Sequence, residues 1–255
     1  MGALHEGHAA LIRKARRLAG AKGSVVVSIF VNPTQFGPKE DLAKYPRPFA
    51  RDRMICKEEG ADLLFHPTPG EMYAADASVK VQEASLAKGL CGASRPGHFD
   101  GVCMVVSMLF NIVRPDIAVF GEKDWQQLAV IRRMVRDLAM PVKIVAHPTV
   151  READGLALSS RNRLLTPEAR QVAPRIHQAL IATAMEAEEG EHRVARLRGG
   201  LMKELAAIPG AVVDYAEILD GETLGSLKTA KPGTGARIFA AVRMGSVRLI
   251  DNLPL

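Results

Sequence analysis

The sequence is short of the residues that staple, stack or span. Its three cysteines, Cys56, Cys91 and Cys103, fit neither a paired-cysteine zinc site nor a disulfide framework, so reduced thiols are expected. One Trp and three Tyr leave little to stack on bases, which argues against a single-strand nucleic-acid binder. No apolar run approaches the roughly 18 to 20 residues that a bilayer-spanning helix needs, and the opening MGALHEGHAA lacks the apolar core of a signal peptide. A cytoplasmic protein with no membrane partner is expected. Internal repeats and low-complexity segments are also missing. What is present is 47% hydrophobic and 24% charged residues, a composition that buries a core and excludes disorder or a collagen-like chain. The 34 basic and 28 acidic residues leave +6 spread along the chain, which suits an anionic small molecule at least as well as nucleic acid. At about 150 residues per domain, 255 residues allow one large domain or two smaller ones.

Up to about residue 150, β-rich apolar runs (SVVVSIFV, ADLLFHP, PDIAVFG, PVKIVAHPTV) alternate with helix-length amphipathic segments at 6–21, 50–59, 99–113 and 125–139. This alternation predicts parallel strands joined by crossover helices, a doubly wound α/β domain over 1–149. Beyond it, Thr166, Pro167 and Glu168 signal the start of a helix running to Glu189, and a second helix is expected at 193–207. VVDYAEIL and RIFAAVRMGSVRLIDNL then read as short strands around the turn-rich KPGTG. Residues 150–255 are thus expected to form a smaller α+β domain with two helices on an antiparallel sheet.

Five stretches carry candidate chemistry, each with a plainer reading beside it. HEGH, with His5, Glu6, Gly7 and His8, stands at a helix start, where unpaired N–H groups and the helix dipole favour an anion and Gly7 lets a phosphate approach. The spacing is wrong for a metalloprotease, and two surface histidines are the alternative. FVNPTQFG delivers the amides of Asn32 and Gln35 beyond a strand end, where open α/β sheets bind ligands; the alternative is a turn in which Asn32 bonds nearby backbone. GEKDWQQ offers Gly121 for close approach, Lys123 as a compact charge and Asp124 for ribose hydroxyls, against a solvated helix N-terminus. LALSSRN sets Ser159, Ser160 and Arg161 together, able to grip a polyphosphate, against an ordinary polar linker. CGASRPGHFDGV holds Arg95 and His98 in a Gly-rich loop that bears on phosphate or a lid, against a structural turn.

GALHEGH, FVNPTQF, SRPGHFDGV, GEKDWQQ and LALSSRN together resemble one family over nearly the whole chain: pantoate–β-alanine ligase, also called pantothenate synthetase. That family belongs to the nucleotidylyltransferase superfamily related to class I aminoacyl-tRNA synthetases, with HEGH in the place of the HIGH signature and SSRN in that of the KMSKS loop. The resemblance implies a Rossmann-like sheet with a smaller α+β domain closing over ATP, and a homodimer. It also implies ATP and Mg²⁺, with pantoate and β-alanine as the other substrates. Pantoate attacks the α-phosphate to give pantoyl adenylate and pyrophosphate, and β-alanine then displaces AMP.

By the same resemblance Met1, Gly2, Ala3, Leu4, His5, Glu6, Gly7 and His8 line the ATP site, His8 being the family's proton donor. Gly121, Glu122, Lys123 and Asp124 bind nucleotide, Val150 touches adenine, and Leu158, Ser159, Ser160 and Arg161 close on the phosphates. Gln35 meets both pantoate and β-alanine, Gln127 holds pantoate, and Asn32 is a further substrate contact. His5, His8, Lys123 and Arg161 form the expected catalytic set; the Mg²⁺ ligands are unassigned, Asp52 included. Relatives carry a segment ahead of MGALHEGH with the first strand of the sheet, so that strand is expected to be missing here. After YPRP, where relatives are more acidic, this chain reads FARDR. The alternatives are an N-terminally truncated, inactive nucleotide- or nucleic-acid-binding remnant, and another small-molecule adenylyltransferase.

Overall fold

The computed structural model describes residues 2–37 and 42–255. These residues fall into two compact units, one of residues 2–37, 42–122 and 126–148 and the other of residues 123–125 and 149–255.

The first unit opens with α1 (Glu6–Ala19), whose apolar stripe buries Ala9 and Ile12. Glu6 in its first turn and Arg16 and Arg17 in its last complement the helix dipole, and Gly20, at φ 61°, ends it by donating to the Arg16 carbonyl. Strand β1 (Val26–Ser28) is followed by α2 (Phe49–Glu58) and then β2 (Leu63–Phe65), which pairs with β1 in parallel. After α3 (Pro69–Met72), closed at its start by a Thr68–Glu71 capping box, the chain reaches α4 (Leu90–Ser94) and the long α5 (His98–Val113). Strand β3 (Ile117–Gly121), α6 (Trp125–Asp137) and β4 (Lys143–His147) form a second parallel crossover. The parallel strands described are therefore two β–α–β pairs, β1–β2 and β3–β4. Val25, Val27 and Ile29 pack with Leu4, Ile12 and Cys56 in one core cluster, so α1 and α2 bury their apolar faces with the first pair.

In the second unit the helix expected from Thr166 to Glu189 is two helices, α7 (Pro167–Val172) and α8 (Arg175–Glu188). Pro174 sits at the break: with no N–H and a ring that crowds the preceding turn, it begins a helix more readily than it continues one. Helix α9 (Val194–Ala206) leads to an antiparallel sheet in the order β5 (Ala211–Asp220), β6 (Ala236–Met244), β7 (Val247–Pro254). Central β6 is buried at every residue but Arg243. Leu180, Leu197, Leu201, Leu205, Ile218 and Ile238 share one core with it, joining α8 and α9 to the sheet. Among the described residues no helix is long and apolar enough to cross a membrane.

Candidate active site

The HEGH stretch is the N-terminus of α1, and its histidines are built into the helix start. His5 is the N-cap: its Nδ1 accepts the Gly7 N–H at 3.2 Å, while Nδ1 of His8 accepts the His5 N–H at 3.3 Å. This is a capping box made of two imidazoles, with ring centroids 4.1 Å apart. Because both Nδ1 atoms accept, the neutral rings carry their protons on Nε2, which makes that atom of each ring a donor. Glu6 is exposed and pairs with Arg13, which also binds Glu59 at 2.7 Å. Just ahead, Ala3 holds φ 51°, a left-handed conformation rare for alanine. The buried carboxylate of Asp52 fixes it there, accepting the Ala3 N–H at 2.8 Å and the Leu4 N–H at 2.7 Å. Met1 lies outside the described residues.

Asn32 and Gln35 bound a single 3₁₀ turn, Pro33–Gln35. Asn32 is 3% exposed and its amide is committed to the protein: Nδ2 donates to the Gly101 carbonyl at 3.0 Å, and Oδ1 accepts from Thr34 N–H, Thr34 Oγ1 and Tyr73 OH. The geometry matches the plainer reading of Asn32 as a turn-former. Gln35 is half-buried, and its carbonyl is gripped by the SRPGHFDGV loop, accepting from His98 Nδ1 at 2.8 Å and Arg95 at 3.3 Å. In the GEKDWQQ stretch, Gly121 ends β3 and Glu122 follows it. Of the two glutamines, Gln126 is structural, donating to Leu86 and Gly89 carbonyls and accepting from Cys91 N–H. Gln127 is half-buried one position on, with its side chain on a different side of α6.

In the second unit, Lys123 and Asp124 pair at 3.4 Å, and the short segment that carries them is locked to the sheet. Asn252 Nδ2 donates to the Lys123 carbonyl at 3.0 Å and the Trp125 indole donates to the Gly221 carbonyl at 2.7 Å. Buried Arg237 lies 3.4 Å over the Trp125 ring and donates to Asn252 Oδ1. Val150 and Leu158 face each other across a tight hairpin, Leu158 N–H bonding the Val150 carbonyl at 3.0 Å, with Gly155 at φ 91° making the turn. Ser159 caps the 3₁₀ turn Ser160–Leu164 by accepting the Arg161 N–H, so Ser159, Ser160 and Arg161 sit on consecutive positions of one rigid corner. Asn162 braces that corner through Glu152 and the Ala157 carbonyl, and Arg170 ties Glu152 and Asp154 behind it, holding the Asp154 carboxyl below its ordinary range.

Among the described residues no cluster of three or more His, Cys, Asp or Glu side chains is arranged to hold a metal. Asp52, the acid considered for Mg²⁺, spends both oxygens on backbone N–H groups. Sequence reasoning did not foresee the roles of Asp52, Tyr73, Gln126, Asn162 or Arg237. Asp52, Tyr73, Gln126 and Arg237 act on partners far along the chain, whereas Asn162 reaches back only to Glu152 and Ala157; only the Pro and Gly flanking these segments hinted that the backbone there is specially held.

Comparison with known proteins places this arrangement. The family described as pantoate-beta-alanine ligase matches residues 1–254. Pantothenate synthetase of Syntrophotalea carbinolica is 51% identical over 253 residues, covering 99% of this chain and 87% of that protein. The Moorella thermoacetica enzyme of the same name is 51% identical, with 100% and 88% covered. The crystal structure of pantothenate synthetase from Thermus thermophilus matches with a TM-score of 0.93 at 50% identity, over 100% of this chain and 90% of that one. The pantoate-beta-alanine ligase of Francisella tularensis, solved with beta-gamma ATP and beta-alanine, matches with a TM-score of 0.76 at 34% identity, over 100% and 87%. The α/β fold with its separate antiparallel sheet, the ordered motifs and these whole-chain similarities agree: the chain belongs to the pantoate–β-alanine ligase family.

Proposed function

We propose that this chain condenses pantoate with β-alanine at the expense of ATP, through pantoyl adenylate. The observation that carries the reading is the family match along the whole chain, within which the HEGH stretch forms an imidazole capping box at a helix start. The same match is what favours a ligase over a nucleotide-binding remnant.

In the first step an oxygen of the pantoate carboxylate bonds to the α-phosphorus of ATP and the bond to the β-phosphate oxygen breaks, releasing pyrophosphate. In the second, the β-alanine amine bonds to the acyl carbon, AMP leaves with the electron pair of its ester oxygen, and the amine loses a proton. Both steps need negative charge to be met by preplaced donors. His5 and His8 serve as Nε2–H donors to phosphate oxygens at the positive end of α1. A carboxylate nucleophile has no proton to remove, so His8 acts by donating a hydrogen bond from Nε2–H, more than as a literal proton donor. Gly2, Ala3, Leu4, Glu6 and Gly7 supply the backbone beside them. Gly121, Glu122, Lys123, Asp124, Val150, Leu158, Ser159, Ser160 and Arg161 are assigned to ATP by the family resemblance, with Lys123 and Arg161 on phosphate. Gln35 is assigned to pantoate and β-alanine and Gln127 to pantoate; Asn32 is read as shaping the turn that presents Gln35.

Among the described residues no three His, Cys, Asp or Glu side chains gather to hold a cation, and Mg²⁺ is assigned in this reading to the ATP phosphates. The two parallel crossovers support a Rossmann-like reading of residues 1–149, with residues 150–255 as the ATP-side domain. A homodimer and a cytoplasmic location rest on the family resemblance.

The test is ATP–pyrophosphate exchange by the purified chain with Mg²⁺. Exchange that requires pantoate, followed by AMP release on adding β-alanine, is the expected result. ATP binding without exchange would return the chain to the remnant reading, and a product that retains AMP would make it a simple adenylyltransferase.

A further inference from the structure

The SRPGHFDGV loop is a motif the reaction has not used, and its geometry gives it a task. We infer that Arg95, His98 and Gly101 are positioning residues that hold the Pro33–Gln35 turn and so set where the Gln35 side chain meets pantoate and β-alanine; this rests on the reading of Gln35 given above.

Three observations converge on the turn. The first is the grip on the Gln35 carbonyl, which receives His98 Nδ1 at 2.8 Å and an Arg95 guanidinium nitrogen at 3.3 Å. A carbonyl only accepts, so Nδ1 of His98 carries the proton. Its Nε2 then faces an Arg95 nitrogen at 3.0 Å, and since guanidinium only donates, Nε2 accepts. Arg95 thus selects the tautomer of His98 that can hold Gln35. The second observation is steric. A Cβ on Gly101 would lie 2.5 Å from the Thr34 carbonyl oxygen, 2.7 Å from its carbon and 2.9 Å from Gln35 N. These are backbone atoms that cannot swing aside, so the close seating of α5 on the turn demands glycine. The third is the opposite anchor: Asn32 donates to the Gly101 carbonyl and accepts the Tyr73 hydroxyl at 2.6 Å. The turn is pinned from both sides, so the backbone that carries the Gln35 side chain is fixed.

The experiment measures amide hydrogen exchange at Thr34, Gln35 and Phe36 together with the KM values for pantoate and ATP. Variants are Arg95→Lys, His98→Gln, His98→Phe, Gly101→Ala and Gln35→Ala, each checked for a cooperative melt well above the assay temperature. Loss of the brace is expected to speed exchange of the turn amides in Arg95→Lys, His98→Phe and Gly101→Ala. The pantoate KM should rise about tenfold or more, with the ATP KM within about a factor of two. His98→Gln, which can still donate to the Gln35 carbonyl, is expected to recover part of the loss. Turn amides that exchange at the wild-type rate in Arg95→Lys and His98→Phe overturn the brace. So does an unchanged pantoate KM in variants of the loop when Gln35→Ala has raised it. A Gln35→Ala enzyme with unaltered pantoate KM removes the Gln35 assignment instead, and the exchange rates then decide the brace alone.

Discussion

Single residues in this protein often serve two masters, and His8 is the clearest case. It is assigned to ATP phosphates, yet its Nδ1 also accepts the His5 N–H at the start of α1. His8→Ala is therefore expected to lower pantoate-dependent pyrophosphate exchange by about 10²-fold or more, as when one transition-state donor is removed. It should also cost about 1 kcal/mol of stability from the broken cap. Exchange kinetics and a urea melt separate the two; near-normal exchange would take His8 out of the site. The HEGH pair was legible in sequence because its partners lie within three residues. Asp52 was not legible, because the N–H groups it holds belong to Ala3 and Leu4, 49 and 48 positions away. Asn32 shows the converse: a polar residue at a strand end looks free for substrate until its distant neighbour, Tyr73, is known.

At the scale of elements, the segment 123–125 shows how a short loop is made rigid. Its backbone is tied through Asn252 and Trp125 to β7 and the Gly221 turn, and Arg237 covers the indole. Arg237→Ala uncovers the half-buried Trp125 ring and deprives Asn252 Oδ1 of a donor, with an expected cost of about 2–4 kcal/mol and a raised ATP KM through misplaced Lys123. Trp125→Phe keeps an aromatic face beneath Arg237 but loses the bond to Gly221 and the smaller ring of the indole, for about 1–3 kcal/mol. Denaturant melts paired with ATP titrations check both; an ATP KM unmoved in Arg237→Ala would confine the lock to stability. Element existence was readable from periodicity for α1, α5, α6 and α9. The split between α7 and α8 was not, because an Ala-rich stretch outweighed the single Pro174.

For the molecule as a whole, pH response is expected to centre on the second unit. His177 is held below its ordinary value first by burial and then by Arg151, with Asp251 pulling the other way; its Nδ1 has no hydrogen-bond partner among the described residues. In the unfolded chain the ring titrates near 6.5. Above that pH both states are neutral and the contribution of His177 is fully present. Below it the unfolded chain takes the proton first, so stability falls until the pH passes through the lower folded value. Thermal melts from pH 7.5 to 5 should show a decline that is shallower in His177→Gln. Equal slopes would take His177 out of the acid response; Asp154, whose carboxyl is lowered by Arg170, acts only at lower pH, where its stabilising contribution is lost as the pH falls below about 4 toward its folded value. Burial also pushes the Cys103 thiol up to about 12, so it stays protonated and inert across this range.

Composition and local pattern by themselves determined that this is an α/β chain with an antiparallel C-terminal sheet, and that its chemistry-bearing residues sit at helix starts and strand ends. Those features follow from periods of two and 3.6 residues and from turn chemistry, which act over a few neighbours. Tertiary structure alone decided which of the polar residues face inward to hold backbone or partner side chains: Asp52 on Ala3, Tyr73 on Asn32, Gln126 on the 86–91 loop, Arg237 on Trp125. Every one of these is a hydrogen bond or ring contact between groups tens of residues apart or more. A buried polar group takes whatever partner the packed chain brings within about 3 Å, and linear order carries no measure of that distance.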